Sequence, residues 1–164
     1  MTKVGAAVLA LVLNVIPALA DPACTKLAWN LDHERALLNG PTVSVASGAM
    51  LASLPATALA LTLQPGTSVP LPHASQKPTD PSKGAGFFTV HVLAAGDYVV
   101  SLSGEAWIDL VQGGNLVSST GHTGDPNCPG LRKSVKFTLT AVPVTIEITN
   151  AATNALALSI TPAK

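Results

Sequence analysis

Between Gly86 and Gly114, oily side chains recur at every second position in three successive runs. Phe88, Val90 and Val92 alternate with Thr89 and His91. Tyr98, Val100 and Leu102 alternate with Val99, Ser101 and Ser103. Ala106, Ile108 and Leu110 alternate with Trp107, Asp109 and Val111. A period of two over this length marks half-buried strands. Ala94 to Asp97, Ser103 to Glu105 and Gly113 to Asn115 separate the runs with turn chemistry. Strands with one oily face need a second layer in water, and the rest of the chain must supply it.

The same period continues elsewhere. Leu27, Trp29 and Leu31 predict a first strand within 23–31, and Asp32 to Asn39 reads as a short helix with Asp32 as N-cap and Gly40 as terminator, or as continued strand or loop. Thr42 to Val45 reads as a short edge strand and Thr57 to Leu63 as another. Ser68 to Leu71, between prolines, reads as a brief edge strand. Pro72 to Gly86, rich in Pro, Ser, Lys and Gly, is expected to be a long surface loop, functional or mobile. Leu116 to Thr120 reads as a short strand and 121–130 as a turn-dense loop. Val135 to Leu139, Val144 to Ile148 and Leu156 to Ile160 complete the strands. Eight to ten short strands with regular turns predict an all-β fold, a two-layer antiparallel β-sandwich of jelly-roll or Ig-like type, with at most one short helix near 32–38.

The first 20 residues break this pattern. Lys3, an apolar run from Val4 to Ile16 and Ala18-Leu19-Ala20 form the outline of a secretory signal peptide. The run is shorter than the roughly 20 residues of a membrane span, so no stable membrane insertion is expected after cleavage. Removing 20 of 164 residues leaves 144, read as a single domain, 21–164. Lys3 leaves with the signal, so eight of nine basic residues remain against nine acidic ones. That balance argues against nucleic acid or an acidic membrane surface as partner. With 11% charged residues, stability must come from apolar burial and backbone pairing. Two cysteines in an exported chain predict one disulfide, Cys24 to Cys128; two free thiols are the alternative. The expected location is periplasmic or secreted.

The final eighty residues carry Ala95 to Leu102, Ile108 to Val111, Val135 to Leu139, Val144 to Asn150 and Leu156 to Ile160. In these runs the chain resembles the bacterial pre-peptidase C-terminal type of β-sandwich. That resemblance implies an exported, non-catalytic module of the kind appended to secreted enzymes. As a whole the chain is also similar to a group of short exported proteobacterial proteins. It shares with them the early Cys24, the segment from Trp29 to Leu37, and a Gly96-x-Tyr98-x-Val100-Ser101 run followed by Trp107-Ile108-Asp109. Some of that group carry the label homogentisate dioxygenase.

A non-haem iron site needs two His and a carboxylate on one face of the metal. His33, His73, His91 and His122 are far apart in sequence, and none forms a His-x-Asp/Glu pair. The serine-hydrolase elbow Gly-x-Ser-x-Gly is absent. Glu105 and Asp109, four residues apart on a strand, would stand about 13 Å apart, too far for glycosidase carboxylates. Asp80 and Asp125 read as turn-forming residues rather than calcium ligands. No catalytic residue, metal or cofactor is expected. If Ile108 and Leu110 face the core, Trp107 and Asp109 face outward, with Phe87 and His91 on the corresponding face of their own strand. A Trp beside an Asp can stack on a sugar and hydrogen-bond its hydroxyls. These four residues form the candidate binding set, unless an edge loop or the N-terminal segment covers Trp107. The expected function is a non-enzymatic module binding a glycan, an envelope component or a protein partner. The alternatives are a small metalloenzyme and a purely structural envelope protein.

Overall fold

A computed structural model describes residues 24–164, so the signal-like run lies outside the described residues. Two sheets face each other. One has the order β1(Thr42–Val45), β3(Ala58–Thr62), β12(Ala155–Pro162), β6(Gly96–Leu102), β10(Lys133–Leu139), β9(Ser119–Gly124). The other runs β2(Ala49–Leu51), β5(Gly84–His91), β11(Pro143–Ala151), β7(Trp107–Gln112), β8(Asn115–Leu116), with β4(Gln64–Pro65) also on β5. The all-β sandwich expected from the alternation is the fold observed. Phe88, Val100, Leu110, Ile146, Ile148 and Leu158 are fully buried in the layer between the sheets. Their neighbours at odd spacing point out of it, as a pleated strand requires.

Pairing is antiparallel except at two edges. β1 runs parallel to β3, and β2 parallel to β5. β1 and β2 follow each other in the chain but join opposite sheets, so β3 reaches its parallel place beside β1 only after a crossover.

Residues 24–38 cover the outer face of the first sheet. The helix α1(Asp32–Leu38) is present. Its cap sits one residue earlier than expected: Leu31 holds the N-cap position with no side-chain cap bond, and the Asn30 side chain accepts the Asp32 amide at 2.9 Å. Leu31 and Leu38 are buried with Val99, Ala58, Leu131 and Cys128 in a second cluster. Glu34 is buried too, and its carboxylate accepts the Thr161 hydroxyl at 2.6 Å. The Cys24–Cys128 disulfide is formed, closing a separation of 104 residues.

Three expected elements differ. Of the strand expected within 23–31, the described residues 24–31 form none. Leu27, Trp29 and Leu31 do turn toward the sheet, but the Lys26 and Ala28 amides donate to the side chains of Asp125 and Thr123, at 3.1 and 2.9 Å, instead of to a backbone ladder. Gly66–Ser68 is a 3-10 turn and 68–71 is not a strand, since Pro70 and Pro72 lack the N–H a ladder needs. The strand expected at 116–120 divides into β8 and β9. β9 continues through 119–124, where Gly, His and Thr had read as loop.

Candidate functional site

The long 72–83 segment lies across the outer face of the second sheet and is fastened to it by two buried carboxylates. Asp109 of β7 and Glu147 of β11 are register partners, and Phe87 of β5 continues the row. Asp109 is 1% exposed. Its Oδ2 accepts the Ser75 hydroxyl at 2.8 Å and the Gln76 amide at 3.1 Å. Its Oδ1 accepts Gln76 Nε2 at 3.1 Å and Trp107 Nε1 at 2.9 Å. Glu147, fully buried, accepts the His73 amide at 2.8 Å through Oε1, and Oε2 has no hydrogen-bond partner among the described residues. Burial pushes the Glu147 carboxyl above its ordinary range; the His73 amide works against this and Asp109 adds to it. Further along, Asn150 accepts the Asp80 amide at 2.7 Å and donates to the Pro78 carbonyl at 3.1 Å.

Trp107 stands at the margin of this covered area. It is half-buried at the start of β7, and its indole orientation is set by the bond to Asp109. Two ammonium groups lie over its ring. Lys133 Nζ, from the start of β10, is 4.8 Å from the centroid, and Lys77 Nζ, from the loop, is 5.6 Å away. Burial holds Lys133 below the ordinary lysine range, and Lys77 and Arg132 push the same way while Glu105 and Asp109 oppose them. An open cleft of about 380 Å³ adjoins the ring, with Lys77, Lys83, Arg132 and Lys133 along its walls. Glu105 and Asp80 also border it. Glu105 pairs with Arg132 at 3.4 Å, and the Asp80 carboxylate accepts the Ser82 amide and hydroxyl. A second recess of about 410 Å³ lies where Trp107 and Lys133 meet Gln76, His122 and Phe137.

The four candidate residues do not share one site. Trp107 and Asp109 are joined by a hydrogen bond, but every bond described for the Asp109 carboxylate goes to the protein's own loop or to Trp107. Phe87 lies two strands from Asp109, about 10 Å away at ordinary strand spacing. His91 is exposed at the far end of β5, beside a different cleft bordered by His33 and Tyr98. No carboxylate lines that cleft. Among the described residues no three His, Cys, Asp or Glu side chains converge as a metal site would need. Asp125 is turned to structure: it accepts the Asn127 and Lys26 amides, and the first of these does most to hold its carboxyl below the ordinary value.

Sequence reasoning missed the lysines and the arginine. Lys77 and Lys83 are the basic residues of the loop, and Arg132-Lys133 is a basic pair just before an alternating strand. Those clusters were visible. Their meeting depends on the loop folding back over β7 and β11, which no local pattern encodes.

No family model matches the chain, and no curated protein matches it. Among solved structures it is similar to the pre-peptidase C-terminal domain of a collagenase from Bacillus anthracis. The two share 13% identity over 75% of this chain and 99% of that domain, with a TM-score of 0.38. A likeness that faint carries nothing about the site.

Proposed function

We propose that the protein is an exported, non-enzymatic β-sandwich module that binds a glycan at the cleft beside Trp107. One observation carries the binding reading: a half-buried indole, fixed in orientation by a buried carboxylate, borders a cleft between the 72–83 loop and the starts of β7 and β10. An aromatic face or edge of this kind, ringed by N–H donors, suits a polyhydroxylated ring. Export is supported by the N-terminal charge and hydropathy pattern and by a disulfide, which persists in oxidising compartments. The metalloenzyme alternative finds no support in the histidines, which lie on α1, in the loop, at the end of β5 and in β9.

The test is binding of the purified protein to a broad saccharide panel and to isolated envelope material. Trp107→Ala should weaken binding by about tenfold, because it removes the ring that borders the cleft and holds the two lysines there. Absence of any saccharide ligand would end the glycan reading. An N-terminus that begins at Met1 in protein isolated from cells would end the export reading.

A further inference from the structure

We propose that the saccharide taken by this cleft is anionic, and that its carboxylate, sulfate or phosphate lodges among Lys77, Arg132 and Lys133 beside Trp107. The inference rests on the glycan reading above and narrows it to a substrate class.

The protein has nine basic and nine acidic residues and no net charge, yet four of the nine basic residues gather around one cleft. Two carboxylates share that cleft. Glu105 is paired with Arg132, and Asp80, whose charge its bonds from Ser82 leave in place, offsets Lys83. Among the described residues Lys77, Lys83 and Lys133 form no ion pair. Lys133 is half-buried, its Nζ donating to the Ala106 carbonyl at 3.5 Å, with Lys77 and Arg132 close enough to repel its charge and Glu105 and Asp109 close enough to attract it. A cluster of like charges with so little compensation, partly withdrawn from water, favours an incoming anion.

The geometry at the indole points the same way. A neutral sugar that stacks on tryptophan needs a bare ring face. Here ammonium groups at 4.8 and 5.6 Å already lie over the ring. They must be displaced by a neutral ring, but they are the natural partners of an acidic one. The cation–π contacts then keep the two lysines in place for an anion, rather than supplying a stacking platform. Arg132, held at the cleft wall by Glu105 through Nη2, adds its remaining N–H donors.

The test compares three oligosaccharides of equal length by titration calorimetry: an oligogalacturonate, a sulfated dextran fragment and the neutral dextran fragment. A single-stranded oligonucleotide serves as a non-sugar polyanion. The expected result is that at least one acidic sugar binds about tenfold tighter than the neutral one, the worth of one charge-assisted hydrogen bond. Its affinity should fall as salt rises. The galacturonate and sulfate arms tell which acid is read. Lys133→Gln should weaken acidic-sugar binding by about tenfold. Because Lys133 is half-buried at a strand start, Lys77→Gln, in the exposed part of the loop, provides a second variant with the same expectation. Equal binding of neutral and acidic sugars would overturn the inference and leave the glycan reading standing. Equal binding of the oligonucleotide would also overturn it, since charge alone would then be read. Binding of no saccharide would remove both. Acidic-sugar affinity unchanged in both lysine variants would place the anion elsewhere and overturn the assignment.

Discussion

Asp109 and Glu147 face each other across two strands, under the same loop, and are satisfied unequally. Asp109 accepts four hydrogen bonds, while Glu147 accepts one and leaves an oxygen bare. Asp109→Ala should therefore cost about 3 kcal/mol, because it leaves several loop donors without partners in a dry place. Urea unfolding measures the loss, and limited proteolysis should show new cleavage within 73–77. Glu147 behaves in the opposite sense. Its folded pKa lies above the ordinary 4.5, so the folded chain holds that proton more tightly than the unfolded chain. Its stabilising contribution is complete below about 4.5 and is lost as pH rises through the raised folded value. Glu147→Gln should flatten the pH dependence of the melting temperature across that window. Asp80 and Asp125, held below 3.8, act in a separate acid range, where stability falls as they protonate. At this scale the outward direction of Trp107 and Asp109 was legible in the alternation with Ile108 and Leu110. That Asp109 would be sealed by Ser75 and Gln76, 33 or 34 residues away, was not.

Elements show the limits of periodicity more directly. Leu27, Trp29 and Leu31 obey the strand period and do pack on a sheet, yet residues 24–31 make no strand ladder. A flat apolar segment lying on a sheet face has the same side-chain rhythm as a strand within one. Only the donors' partners distinguish them, and here those partners are the Thr123 and Asp125 side chains. Thr123→Val should release the Ala28 amide at a cost of about 1 kcal/mol. Hydrogen exchange should then quicken at Ala28 and its neighbours while the amides of β5 and β11 stay protected. β2, β4 and β8 span three, two and two residues, too few for a period to register. β9, with the sequence Ser-Thr-Gly-His-Thr-Gly, owes its strand form to pairing with β10 rather than to propensity. The long core strands β5, β6, β7, β10, β11 and β12 were readable because each puts an unbroken series of alternate residues into one dry layer.

For the molecule as a whole, the sandwich was readable from strand number and spacing, and so was the disulfide from a cysteine pair in a chain expected to be exported. What tertiary structure added was the dressing of the two outer faces: residues 24–38 on one sheet, 72–83 on the other. Cys24–Cys128 fastens the first of these. Replacing both cysteines by serine should lower stability by up to about 4.7 kcal/mol in the chain-entropy model for a loop of this length, as read by urea unfolding.

β11 and β12, the last two strands of the chain, occupy interior places, β11 between β5 and β7 and β12 between β3 and β6. Neither sheet can close until residues 143–162 have been synthesised. A growing chain is thus kept open until those residues emerge. Were the chain, exported as proposed above, to pass unfolded through a narrow channel, the lateness of its keystones would be an advantage. It would postpone compaction until the far side is reached.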